Sequence, residues 1–120
     1  MAWGSKTGST QLTSVVDTEQ FFSQLVQLNP GEVCHVEIEA NPPATPVDDL
    51  LVAVYLTLDA SSESWDETPY FTLRIENTPD PNKRSFIITD VYKFRVGVQS
   101  SGATDSWTVD MNHRVDGVSV

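Results

Sequence analysis

The chain has 120 residues, of which 39% are hydrophobic, and it carries a formal net charge of −10 at pH 7. This length suits one domain with a single core, and the composition excludes a wholly disordered chain. An acidic domain repels phosphate backbones, so the charge argues against a nucleic-acid partner.

Cysteine content and hydropathy indicate the cellular compartment in which the chain is made. The single cysteine, Cys34, excludes an internal disulfide, and the first residues, MAWGSKTGSTQ, lack the apolar segment of a signal peptide. No apolar run approaches the roughly 20 residues of a membrane helix. These features predict a soluble protein that is made in a reducing cytoplasm and has no membrane partner.

The acidic charge is concentrated in the first part of the chain. Before Arg74 there are eleven acidic residues and one basic residue, Lys6, whereas from Arg74 onward six acids balance six bases. Such asymmetry predicts either a face that suits a basic partner surface or simple solubility.

Residues 1–18 are rich in Gly, Ser and Thr, with Trp3 as the one large apolar side chain. This composition predicts a flexible N-terminal arm over 1–18, followed by a β-sandwich domain over 19–120. From residue 21 onward, strand patterns recur at short intervals, each ended by Pro, Gly, Asn or Asp. The predicted strands are 21–28, 33–40, 50–58, 71–76, 85–91, 92–99 and 106–115.

Side-chain alternation is clearest at 33–40 and in the stretch VYKFRVGV at 91–98. In the second stretch, Phe94 and Val96 share one face while Lys93 and Arg95 share the other. We expect the first pair in a core and the cations facing water or a neighbouring carboxylate. A stacking surface for nucleic acid would need aromatics and cations on the same face, which the pleat prevents here.

The fold class that follows is all-β: a single sandwich of about seven to eight strands at the spacing typical of such domains. The segment 90–96, DVYKFRV, resembles the tyrosine-corner strand of immunoglobulin-like and fibronectin type III domains. By that resemblance, Tyr92 would bond a backbone group near Thr89 or Asp90. A jelly roll of eight strands remains the alternative if part of 1–20 forms a strand.

Catalytic and metal-binding patterns find little support in the sequence. His35 and His113 fall on different predicted strands, and Cys34 alternates with apolar residues as a buried thiol would. We therefore predict no enzyme and no cofactor. The acidic loop 59–67 is dense in oxygen ligands but lacks the spacing of a calcium loop, so it is either a solvated loop or a loose Ca²⁺ site.

Two tryptophans in polar surroundings are candidate contact residues. Trp65 lies in the acidic loop and Trp3 in the predicted arm, and an exposed tryptophan is favourable only where a partner or the protein itself covers it. The predicted protein–protein interface comprises Trp3, Lys6, Trp65, Asp66 and Tyr70.

The whole chain resembles the small β-sandwich decoration, or cement, proteins of tailed-bacteriophage virions. The resemblance is carried by MAWGSKTGSTQLTSV, LLVAVYLTLDASSESWDETP, DPNKRSFIITDVYKFRVGVQSSGATDSW and the terminal RVDGVSV. It implies a non-enzymatic virion protein that binds and stabilises the assembled capsid shell. Its partners would be the major capsid protein and copies of itself, as a homo-oligomer on the particle. Deleting residues 1–15 would then weaken attachment and leave the isolated fold intact.

Two alternatives remain open. A tail or head–tail connector component would also bind other virion proteins without catalysis, and it would differ from a decoration protein only in its location. A carbohydrate- or cell-surface-binding β-sandwich would instead stack sugar on Trp65 and Tyr70, with calcium assisting.

Overall fold

The computed structural model describes residues 6–22 and 25–117, which form nine strands in two antiparallel sheets. The strands are β1 (Lys6–Val15), β2 (Gln20–Phe21), β3 (Val26–Gln27), β4 (Glu32–Asn41), β5 (Leu50–Thr57), β6 (Phe71–Ile75), β7 (Asn82–Thr89), β8 (Lys93–Ser100) and β9 (Trp107–Gly117). The all-β sandwich is confirmed. The described residues contain no helix long and apolar enough to cross a membrane.

The strands pair as nested antiparallel partners: β5 with β6, β4 with β7, β2 and β3 with β8, and β1 with β9. Lateral pairing of β4 with β9 and of β5 with β8 completes the two sheets, which have the orders β1-β9-β4-β7 and β2-β8-β5-β6. This is the jelly-roll arrangement, in which β2 and β3 together occupy one strand position.

The predicted arm requires a correction, because residues 6–15 form β1 and not a mobile segment. β1 pairs with β9 from Lys6↔Val115 to Leu12↔Val109, and after a register shift Val15 pairs with Trp107. Ser14 takes a positive φ of 58° within that shift. Val15 is fully buried and Leu12 packs on the core, so two apolar side chains and a ladder of backbone hydrogen bonds hold the strand.

The core lies between the two sheets and is built from the faces that alternation predicts. In β4 the buried residues are Cys34, Val36, Ile38 and Ala40, and in β8 they include Phe94, Val96 and Val98. The predicted central strand at 50–58 is β5, which lies between β8 and β6. Tyr92 precedes β8, and its hydroxyl makes no hydrogen bond to Thr89 or Asp90 among the described contacts, so the tyrosine-corner expectation was wrong.

Candidate functional site

The outer surface of the five-stranded sheet carries an unusual set of side chains. Alternation buries one side of β5 and β8 in the core and turns the other side outward. We call this outward surface the β5–β8 face, and it includes Leu51, Ala53, Tyr55, Arg95, Gly97 and Gln99, with Phe21 of β2, Thr72 and Arg74 of β6, and the adjacent Glu19.

At one end of the β5–β8 face, Arg95 is stacked between aromatic rings. Its guanidinium carbon lies 3.8 Å from the centre of the Phe21 ring and 4.5 Å from that of Trp65. Tyr55, which pairs with Arg95 across the sheet, lies 6.0 Å away and meets Phe21 edge-on at 5.9 Å. Arg95 lies on the outer face of the sheet, as alternation predicts, but aromatic rings and not a neighbouring carboxylate are its contacts. Cation–π contacts hold it in place.

The acidic loop between β5 and β6 is ordered by its own polar groups. The carboxylate of Asp59 accepts hydrogen bonds from the Ser61 hydroxyl and from the backbone amides of Ser61, Glu63 and Ser64. These bonds, led by that from the Ser61 side chain, lower the pKa of Asp59. Asp59 thus organises the loop, and its oxygens are already engaged.

Lys93 ties the same loop to the β5–β8 face. Its ammonium donates to the Ala60 carbonyl at 3.1 Å and to the Ser62 hydroxyl at 2.9 Å. The indole nitrogen of Trp65 in turn donates to the Ser62 carbonyl at 2.9 Å. These bonds fix Trp65 over Arg95, so the position of the aromatic ring is set before any ligand arrives.

Beside the stacked arginine runs a groove with a volume of about 340 Å³. Its lining residues are Glu19, Leu51, Val52, Ala53, Tyr55, Thr72, Leu73, Arg74 and Gln99. At Gly97 an added Cβ would lie 2.9 Å from the Phe21 ring and 3.0 Å from a Glu19 carboxylate oxygen. The absence of a side chain there allows both residues to close over the sheet.

Two polar contacts set the chemistry of the groove. The Tyr55 hydroxyl donates to the Glu19 carboxylate, whose two oxygens are each 3.1 Å away. Burial, with Glu19 adding to it, raises the pKa of Tyr55. Arg74 Nε lies 2.6 Å from Asp49 Oδ2, and this bond, with the Asn77 amide, lowers the pKa of Asp49. The groove therefore offers a fixed phenol, a carboxylate and a neutralised guanidinium.

The residues predicted from the sequence as an interface are dispersed. Trp3 lies outside the described residues, and Lys6 is placed only by its backbone pairing with Val115. Trp65 lies on the β5–β8 face. Asp66 and Tyr70 are exposed and bond β5 only through their amides, to Leu56 and Val54 respectively, and neither lines the groove.

The sequence reasoning missed Tyr55, Phe21 and the stacking role of Arg95. Tyr55 could have been found, because alternation within LLVAVYLTL places it opposite the buried Val52 and Val54. Phe21 could not, because its contact with Arg95 depends on which strand lies beside β8.

The two histidines and the cysteine lie on β4 and β9, which are adjacent strands of the four-stranded sheet. No group of three or more His, Cys, Asp or Glu within residues 6–22 and 25–117 is arranged to hold a metal ion. His35 and His113 line a shallow depression of about 180 Å³ together with Glu37. Cys34 is fully buried, and burial raises the pKa of its thiol to about 12.

No protein-family model matches the sequence, and no curated protein matches it. Solved structures do share the fold. One, from the study "Bacillus endospore appendages form a novel family of disulfide-linked pili", superposes with a TM-score of 0.52 at 12% identity, covering 95% of this chain and 87% of its own. Another, from "CBM4 structure and function", has a TM-score of 0.55 at 17% identity, covering 98% and 76%. At such identities the likeness shows a common β-sandwich fold and nothing more, and neither structure is described as a phage capsid protein.

Proposed function

We propose that this protein is a non-catalytic module that binds carbohydrate on the β5–β8 face. The observation that carries the proposal is the groove in which the Tyr55 ring and hydroxyl lie beside Glu19, Thr72, Arg74 and Gln99. Sugars present apolar C–H faces that stack on aromatic rings, and hydroxyls that require several fixed donors and acceptors. A volume of about 340 Å³ falls within the range of small-ligand sites, which combine an apolar lining with a few convergent polar groups.

The second line of support is pre-organisation. Tyr55 is held by Glu19, Arg74 by Asp49, and Trp65 by Ser62, so the binding groups lose little conformational entropy when a ligand arrives. The structure named for CBM4, a carbohydrate-binding module, has the same sandwich fold, and this likeness supports the proposal. The sugar-stacking residue predicted beside Trp65 was Tyr70, and the groove geometry favours Tyr55 instead.

Glycan-array screening of the purified chain, followed by calorimetry on the best ligand, tests the proposal. Tyr55→Ala should weaken binding at least about tenfold, since aromatic and hydrogen-bonding contacts are lost together. Tyr55→Phe keeps the ring but loses the hydroxyl, so its affinity should lie between that of the wild type and that of Tyr55→Ala. Tyr70→Ala is the matched control, because Tyr70 is 56% exposed and outside the groove, and it should bind as the wild type does. Absence of binding to every glycan, or full binding by Tyr55→Ala, would contradict the proposal.

A second candidate function is decoration of a phage virion, with the major capsid protein as partner and further copies of this chain on the particle. It is supported by the sequence resemblance and by β1, an edge strand whose residues Thr7, Ser9, Gln11 and Thr13 are exposed. An edge strand can add to a partner's sheet or contact several neighbours.

Co-sedimentation of the tagged chain with purified capsids tests this candidate. A decoration protein should reach on the order of hundreds of copies per particle, whereas a connector component should reach about a dozen, because a shell repeats its sites and a ring closes. If the tagged chain does not sediment with capsids that lack the protein, both the decoration role and the connector role are excluded.

A further inference from the structure

Arg95 is a cation without an anionic partner. Its guanidinium contacts Phe21, Tyr55 and Trp65 through their rings, but it makes no hydrogen bond or ion pair with any described residue. The Nε atom is buried and has no hydrogen-bond partner, and the terminal amino groups have no acceptor among the described residues. These terminal donors are therefore free to meet a ligand.

The charge around Arg95 makes this lack of a partner notable. The chain has a net charge of −10, and the neighbouring loop contains Glu63, Asp66 and Glu67. None of these carboxylates lies within 4.0 Å of the Arg95 guanidinium. Stacking fixes the plane of the guanidinium, so only its outer edge can donate hydrogen bonds to a ligand.

The other cations of the β5–β8 face are already occupied. Arg74 is paired with Asp49 at 2.6 Å, and Lys93 donates to the Ala60 carbonyl and the Ser62 hydroxyl. Arg95 is thus the one cation of the described β5–β8 face that makes neither a hydrogen bond nor an ion pair. A planar guanidinium with a free edge matches the two oxygens of a carboxylate, which it can bind in a bidentate manner.

We propose that Arg95, clamped between Phe21 and Trp65, is a carboxylate-binding subsite next to the groove, so that the ligand of this face is a saccharide that carries a carboxylate. This inference rests on the proposed carbohydrate-binding function. Tyr55 links the two parts, because its ring lies 6.0 Å from the Arg95 guanidinium and also lines the groove. One sugar unit would rest against Tyr55 while its carboxylate meets the edge of Arg95.

The arrangement also predicts which changes the subsite tolerates. Lysine in place of Arg95 keeps the charge but offers neither the flat surface for stacking nor the paired donors. Trp65→Ala removes one wall of the clamp, which frees the guanidinium to rotate and lowers the preference for acidic ligands without removing the cation. Both changes leave the Tyr55 side of the groove in place.

The experiment compares two forms of one oligosaccharide: oligogalacturonide, which carries a carboxylate on each unit, and its fully methyl-esterified form, which does not. Calorimetry on the wild-type chain should give an affinity at least about tenfold higher for the acid form, with the difference shrinking as NaCl is raised. Equal affinity for the two forms, or tighter binding of the ester, would overturn the inference. This comparison needs no variant, so it holds even if changes at Arg95 prevent folding.

Variants then assign the preference to the residue. In Arg95→Lys and Arg95→Gln, the preference for the acid form should fall to about twofold or less while binding of the ester persists. Arg84→Gln serves as the matched control and should retain the preference, because Arg84 is an exposed residue of β7 in the other sheet. Retention of the preference by both Arg95 variants would refute the assignment. Binding of neutral glycans with no preference would overturn this inference alone, whereas absence of all glycan binding would overturn the proposed function with it.

Discussion

Asp48 and Asp105 each accept a hydrogen bond from the other's backbone amide. The amide of Asp48 donates to Oδ2 of Asp105 at 2.7 Å, and the amide of Asp105 donates to Oδ2 of Asp48 at 3.0 Å. Asp105 also accepts from the Val47 amide at 2.8 Å and is 4% exposed. Gly102 allows the contact, because a Cβ at that position would collide with the Asp48 carboxylate. This reciprocal pair joins the loop before β5 to the loop before β9.

The first prediction concerns this pair. Asp105→Ala should lower the free energy of unfolding by about 2–4 kcal/mol, because two backbone amides at a buried position lose a charged acceptor. Asp105→Asn keeps an oxygen acceptor, so its free energy of unfolding should fall by less. Urea denaturation monitored by circular dichroism measures the difference. Asp80→Ala is the control, since Asp80 is exposed and should change stability by less than about 0.5 kcal/mol. Equal stability of the Asp105→Ala and Asp80→Ala chains would contradict the prediction.

The second prediction reverses an expectation from the sequence. Deleting residues 1–15 should destabilise the isolated fold, because it removes β1 with the buried Val15 and uncovers the edge of β9. The uncovered edge should promote self-association, as exposed sheet edges do. Thermal unfolding and size-exclusion chromatography measure the two effects. Deletion of residues 1–5 leaves β1 in place and is the matched control. A monomeric 1–15 deletion with wild-type stability would show that β1 contributes nothing.

The third prediction is a pH dependence that originates at His113. Burial lowers the pKa of His113 below the usual value of 6.5, and its Nδ1 is buried without a hydrogen-bond partner. As pH falls below about 6.5, the unfolded chain therefore takes up a proton before the native chain does, and the free energy of unfolding declines until the native ring also titrates.

Urea titrations at a series of pH values between 8 and 5 measure this decline. His113→Gln should flatten the curve in the window below about pH 6.5, where histidine titrates. Asn112→Ala is the control, because Asn112 is an exposed, non-titrating neighbour of His113 on β9, and it should leave the decline in place. If the free energy of unfolding still declines in His113→Gln, the decline originates at other groups.

The fourth prediction concerns thiol reactivity. Cys34 is fully buried, and burial raises its pKa to about 12, so almost no thiolate is present at pH 8. Iodoacetamide should leave the native chain unlabelled over a period in which the urea-unfolded chain is labelled completely. Intact-mass spectrometry distinguishes the two. Rapid labelling of the native chain would show that the β4 region opens readily.

Much of the strand content and of the core could be predicted because alternation is a property of each strand. Cys34, Val36 and Ile38 on one side of β4, or Phe94 and Val96 on one side of β8, are assigned to the core by the pleat alone, whatever lies beside them. The polar composition of residues 6–15 misled the same reasoning. An edge strand needs few apolar side chains, because a ladder of backbone hydrogen bonds to β9 holds it.

The candidate site depended on the tertiary structure. Trp65 could be singled out as a contact residue, yet its contact with Arg95 and the stacking of Arg95 on Phe21 follow from the loop conformation and from β2 lying next to β8. The pairing of Asp48 with Asp105 likewise joins two loops far apart in the chain. Local pattern decides which way a side chain points, whereas its partner is decided by the order of strands in the sheet, which is a property of the whole chain.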